Sequence, residues 1–143
     1  MRLLNLGCGN NFHKDWINID FNKTDECVIT HNLFEGMPCP DLFFDVLYHS
    51  HVLEDFNKEE SKSFICECFR VLKADGIRRI AVPDLETIAK EYLSNLNRAV
   101  NHKNNAEFNY EWVILEMYDQ TVRKASGGEM AKYFYRKEIP NKE

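Results

Sequence analysis

Two glycines one residue apart, Gly7 and Gly9, follow the apolar run Leu3–Leu6 almost at the first residue. A buried parallel strand ending at such a pair makes a loop whose backbone N–H groups can approach a ligand closely, because no side chain intervenes. Cys8 suits a small residue filling a tight turn, since no partner base for a thiol nucleophile is evident. Alone, the two glycines are equally compatible with a plain strand-exit turn. The residues downstream of the pair narrow the chemistry. A dinucleotide fingerprint needs a third glycine three positions after the second and an acid roughly 20 residues on. Phe12 holds that third position, and the first acid ending an apolar strand is Asp20, eleven residues after Gly9. A nicotinamide dinucleotide dehydrogenase is thereby disfavoured. An ionised carboxylate at that strand end can instead accept both hydroxyls of a ribose.

Further along, Asn32 offers an amide that both donates and accepts, suited to the edge of an adenine, and Leu33 offers an apolar wall for its face. An asparagine in a turn for backbone reasons is the competing account. His49 and His51 end a later strand and are the candidate proton acceptors; His51 also reads as packing against the Leu53-Glu54 turn. No metal is expected. Cys66 and Cys68 diverge on a helix, and no CxxC accompanies the two histidines.

Strands must position these residues. The pattern predicts strands at Leu3–Leu6, Trp16–Asp20, Cys27–Thr30, Phe44–Tyr48 and Ile77–Val82. Only ten residues, 7–16, separate loop from second strand, which leaves room for about a turn of helix instead of a full crossover helix. Between the fourth and fifth strands a helix is capped by Asn57 with Glu60 in capping-box spacing. It carries Phe64, Cys68, Val71 and Leu72 on one face and is closed by Gly76. Asp84 caps another helix with Leu85, Ile88, Ala89, Tyr92 and Leu96 on one face. After a polar gap, Phe108, Trp112, Leu115 and Val122 mark a further helix, whose Asp119 and Arg123 read as a salt-bridged solvent face. Ser126-Gly127-Gly128-Glu129 is a flexible break, and Met130–Tyr135 fits a helix end or a strand.

Composition sets the outer limits. With 143 residues and 44% hydrophobic content, the expectation is one domain, a core over 1–84 and a helical arm and tail over 85–143. A formal net charge of −5 without basic runs argues against a dedicated nucleic-acid or membrane-surface protein. No run approaches a membrane span, there is no signal-peptide layout, and five unpatterned cysteines suit reduced thiols, so the expected location is cytoplasmic.

Five segments together resemble the class I S-adenosylmethionine-dependent methyltransferases. They are Leu4-Asn5-Leu6-Gly7-Cys8-Gly9, Asn18-Ile19-Asp20, Phe44 through Glu54, Arg70-Val71-Leu72-Lys73-Ala74-Asp75-Gly76, and Arg79 through Asp84. They span about the first three-fifths of the chain in the order that family has. The resemblance implies an α/β fold with a doubly wound, mostly parallel Rossmann-like sheet, and S-adenosylmethionine as cofactor. It implies that Gly7, Cys8 and Gly9, with Asn5 nearby, hold the methionine portion. Asp20 would hold the ribose, Asn32 and Leu33 would meet adenine, and His49 and Ser50 would border the sulfonium. The chain departs from the family at Asn11, where a third loop glycine is usual, and at Asn32, usually an acid. It departs again at Asp55, often a histidine, and at Ala74-Asp75-Gly76, usually Pro-Gly-Gly.

Too few residues follow Gly128 for the family's C-terminal helix and antiparallel strand pair, so the expectation is a sheet that ends at its fifth strand, is completed by a neighbouring subunit, or belongs to a truncated protein. An uncovered edge invites pairing, and a homo-oligomer is expected. The leading functional reading is methyl transfer to a small-molecule or sugar-like acceptor, with His49 as the candidate base. A methyltransferase-like binding or scaffold subunit without turnover is the alternative.

Overall fold

In the computed structural model, residues 1–103, 105–122 and Met130 are described. The chain divides into two compact units, Met1–Val82 and Pro83–Glu143. In the first, β1 (Leu3–Leu6), β2 (Ile17–Asp20), β3 (Val28–Thr30), β4 (Phe44–Ser50) and β5 (Leu72–Ala81) form one sheet, and α1 (Lys58–Val71) joins the last two strands. The strand order is β3-β2-β1-β4-β5 with every neighbouring pair parallel. The order reverses between β1 and β4, and ligands of open α/β sheets bind outside the carboxyl ends at such a reversal. Among the described residues β5 is an edge.

Register sorts the two sheet faces. Leu4 and Leu6 lie beside Ile17 and Ile19 on one side and Leu47 and His49 on the other. Leu4, Leu6, Ile19 and Leu47 are wholly buried and share a core with Phe64, Cys68 and Val71 of α1. That helix begins where the capping box expects it. The Asn57 side chain accepts from the N–H groups of Glu59 and Glu60, both at 3.0 Å, and Glu60 accepts from the Asn57 N–H at 2.8 Å.

Its end differs from expectation. Leu72, already extended at φ −81° and ψ 143°, follows Val71 directly into β5 opposite Phe44. Gly76 is therefore no helix cap. It lies where β5 is irregular, because Phe44 to Val46 on β4 spans Leu72 to Ile77 on β5. A Cβ on Gly76 would meet Leu72 Cδ2 at 2.8 Å and the Lys73 carbonyl oxygen at 3.0 Å, so glycine is required there for close approach.

The shortened first crossover holds no helix at all. Two turns, Asn11 N–H to the Cys8 carbonyl at 2.8 Å and Trp16 N–H to the His13 carbonyl at 3.0 Å, replace the expected helical turn. Buried Asn5 and Asn18 stitch this segment to the sheet. The Asn5 amide donates to the Asn11 carbonyl at 3.2 Å and to Asn18 Oδ1 at 3.3 Å, and the Asn18 amide donates to the His13 and Trp16 carbonyls, both at 2.9 Å. Two side chains thus satisfy backbone carbonyls that helical hydrogen bonds would otherwise take.

The second unit contains α2 (Leu85–Val100), capped by Asp84 as expected, and α3 (Ala106–Val122). Ile88 packs with Trp112 and Val113. Asp119 is buried, against its reading as part of a solvent face, while Phe108, placed on the apolar face, is largely exposed. Arg123, Ser126–Glu129 and the stretch after Met130 lie outside the described residues. No helix among the described residues is long and apolar enough to cross a membrane, and the five cysteines are free thiols.

Candidate functional site

The carboxyl ends of β1, β2 and β4 meet at the strand-order reversal. Gly7 and Gly9 leave β1 with left-handed φ values of +61° and +51°, which glycine adopts at little cost. Their surroundings differ. A Cβ on Gly7 would come within 2.3 Å of Val52 Cγ2, so Gly7 lets the loop after β4 close onto the loop after β1. A Cβ on Gly9 would meet nothing within 4 Å among the described residues. The glycine loop is therefore packed from below at Gly7 and open at Gly9.

Asp20 sits beside this opening. Its Oδ2 accepts the Gly9 N–H at 2.8 Å, and its Oδ1 accepts the Asn22 N–H at 2.9 Å. Each carboxylate oxygen can accept a second hydrogen bond, so the diol-binding capacity expected of Asp20 is retained. Thr24 adds a contact that sequence patterns did not reveal, its hydroxyl donating to the Gly9 carbonyl at 2.7 Å. Cys8 is buried, and burial with the nearby Asp20 charge pushes its thiol up to about 11, which leaves it a packed, protonated side chain.

The loop after β3 gives a mixed result. Asn32 caps the short 3-10 turn Leu33–Glu35, its Oδ1 accepting the Phe34 N–H at 3.2 Å and its amide donating to Glu35 Oε1 at 2.9 Å. The turn account of Asn32 thus holds in this structure, with one amide hydrogen left to donate. Leu33 lines a cavity of about 340 Å³ together with Phe34, Phe56, Phe64 and Glu67. The ring centroids of Phe34 and Phe56 are 4.5 Å apart and those of Phe56 and Phe64 4.7 Å apart, an aromatic wall that scattered sequence positions concealed.

At the end of β4 the expected trio separates. His49 is fully buried, edge-on to Phe64 at 5.1 Å, on the α1 face of the sheet. Burial, with the positive charge of Arg78 second, pushes its pKa down to about 4. Neither ring nitrogen has a hydrogen-bond partner among the described residues. A neutral imidazole in this setting is a core ring, not the proton acceptor expected at the strand mouth. Ser50 and His51 face the next position, Ser50 Oγ and His51 Nδ1 lying 2.9 Å apart. His51 is exposed and holds a left-handed φ of +54° while its N–H donates to the Ala81 carbonyl at 3.1 Å. Such strain in a residue other than glycine concentrates at functional sites. Glu54, two residues beyond Val52, has both carboxylate oxygens buried without a hydrogen-bond partner among the described residues.

The residues present suit a nucleoside-bearing cofactor with a flexible polar tail. The space at Gly9 would take the tail, and the Asp20 carboxylate would accept from a ribose hydroxyl. The Asn5 amide, expected near the tail, serves the crossover segment.

Comparison with known proteins bears on the fold. Residues 18–80 match the family model for a methyltransferase domain. No curated protein matches the chain. Among solved structures, an S-adenosylmethionine-dependent methyltransferase from Archaeoglobus fulgidus is 21% identical with a TM-score of 0.52, covering 78% of this chain and 59% of its own. A protein from Methanococcus maripaludis described as a putative S-adenosyl-L-methionine-dependent methyltransferase is 14% identical with a TM-score of 0.46, covering 82% of this chain and 68% of its own. The chain thus spans 59% of the length of the Archaeoglobus protein, and the likeness to it is one of fold. Residues 18–80, fewer than half of the chain, are similar to a methyltransferase domain, and the sheet that carries them has a fold like that of the Archaeoglobus S-adenosylmethionine-dependent methyltransferase.

Proposed function

We propose that this chain binds S-adenosylmethionine and transfers its methyl group to a small-molecule or sugar-like acceptor in the cytoplasm, as a homo-oligomer that engages neither nucleic acid nor membrane. The observation that carries the reading is the 2.8 Å contact between the Gly9 N–H and Asp20 at the strand-order reversal, with open space over Gly9. In this reading Gly7, Cys8 and Gly9 hold the methionine portion, Asp20 the ribose, and Leu33 with Asn32 the adenine. Ser50 borders the reactive centre, and His49 supports it from within the core. The bound cofactor supplies an electrophilic methyl group, so the protein's task is to orient the acceptor and exclude water.

Calorimetric titration of S-adenosylhomocysteine tests the cofactor site, with Asp20→Asn as control. The amide retains an acceptor for the Gly9 N–H and loses the charge-assisted bonds to ribose, so affinity should fall by about tenfold or more. Absence of binding to the unaltered protein would refute the reading. The buried, neutral His49 favours a second reading, a binding or scaffold subunit without turnover. Cofactor binding without methyl transfer across an acceptor screen would favour it.

A further inference from the structure

The connection from β3 to β4, residues 31–43, carries no regular structure beyond the turn Leu33–Glu35, whereas parallel strands are usually joined through a helix that satisfies its own backbone. β3 itself is three residues long. Where it ends, the His31 N–H donates to the Asp20 carbonyl at 2.9 Å, so the connection starts from the strand that carries the carboxylate. Beyond the turn, His31 Nε2 lies 2.9 Å from the Gly36 carbonyl oxygen. From Met37 onward the main chain is held by α1.

Two side chains of that helix supply the hold. Glu67 and Arg70, three positions apart and so on one face, pair through Nε to Oε1 and Nη2 to Oε2, both at 2.7 Å. Glu67 Oε2 also accepts the Met37 N–H at 2.8 Å, and Arg70 Nη2 donates to the Met37 carbonyl at 3.0 Å. Arg70 Nη1 donates to the Cys39 carbonyl at 2.8 Å and to Asp41 Oδ1 at 2.6 Å. All five N–H groups of the guanidinium are thereby engaged. Gly36, at φ +89°, brings the chain so close that a Cβ there would lie 3.2 Å from Glu67 Oε2.

We infer that Glu67 and Arg70 are positioning residues for recognition of the cofactor's base: by fixing the loop at Met37 and Cys39 they hold Asn32 and Leu33 where adenine is read. The inference rests on the proposed assignment of those two residues to adenine. Burial of the Met37 side chain in the core keeps the chain near α1. The ion pair adds direction, because it grips both main-chain groups of Met37 through a planar, bidentate fork. Direction is what base recognition needs. Asn32 has one amide hydrogen left to offer a base edge, and a hydrogen bond weakens steeply once its alignment is lost.

Calorimetric titration of the full chain with S-adenosylhomocysteine and with S-inosylhomocysteine, which differ only at the base edge, tests this inference. The unaltered protein should prefer the adenine ligand by about tenfold. Arg70→Lys keeps the charge and loses the fork, so it should cut that preference to about threefold or less, while Lys62→Met, removing an exposed ion pair of the same helix, leaves it intact. A purely structural role would lower the melting temperature of Arg70→Lys and leave the preference of the folded protein unchanged. Should Arg70→Lys fail to fold, Glu67→Gln decides by the same ratio, because its amide keeps an acceptor for the Met37 N–H and gives up one arm of the fork. An undiminished preference in the folded variant, or no preference in the unaltered protein, overturns the inference and leaves the ribose contact of Asp20 standing. Absence of binding to the unaltered protein refutes the cofactor site itself, and the inference with it.

Discussion

Gly7 and Gly9 share a backbone conformation and differ in what surrounds them, so one substitution should have separate effects at the two positions. Gly7→Ala combines a left-handed φ with a 2.3 Å encounter with Val52 and should cost more than about 2 kcal/mol in urea unfolding. Gly9→Ala carries only the conformational cost, about 1–2 kcal/mol, yet places a methyl group in the open space. It should fold and lose most of its affinity for S-adenosylhomocysteine. His49 makes a residue-scale prediction about pH. Its folded pKa, pushed down to about 4, lies below the ordinary histidine value of 6.5, so between these limits the unfolded chain takes up a proton that the folded chain refuses. Stability should be unaffected by this group well above pH 6.5 and decline as pH falls toward 4, by about 3 kcal/mol. His49→Leu should flatten that part of a denaturation-midpoint profile; an unchanged slope would count against the buried, neutral ring.

Among the elements, the first crossover is the unusual one. A parallel connection normally runs through a helix, and here two asparagines anchor ten residues of turn to the sheet. Asn18→Leu keeps approximate size and removes both donors to the His13 and Trp16 carbonyls. The His13 carbonyl keeps the Trp16 N–H, so the loss falls on the Trp16 carbonyl, and a part-buried carbonyl stripped of its side-chain donor should destabilise the variant by about 1–3 kcal/mol. Its amide exchange should quicken first over residues 8–16; uniform exchange throughout the sheet would show that the asparagines do not hold this segment. The α1 to β5 junction shows a related economy, with the chain passing from helix to strand at Leu72 and the slack taken up beside Gly76.

For the whole molecule, the sheet brings together loops that are distant in sequence, and ligand binding should act on all of them at once. At about 100 times its dissociation constant, S-adenosylhomocysteine should stabilise the folded state by roughly 2.7 kcal/mol, read as a thermal shift that Asp20→Asn largely removes at the same concentration. A shift of equal size in that variant would detach the effect from the ribose contact. The sequence by itself determined the five strands, the capping box at Asn57, the acid at Asp20 and the family resemblance, because each is a local pattern of hydrophobic period, cap or turn. Tertiary structure decided the rest. That Gly7 yields to Val52, that Thr24 holds Gly9, and that Gly76 serves a strand irregularity instead of a helix end depend on neighbours brought close only by folding. His49 went to the core because register with Leu6 sets its ring on the α1 face, and one-residue alternation left Ser50 on the other. Local patterns reveal which element a residue joins; which face meets a ligand is fixed by pairing between segments.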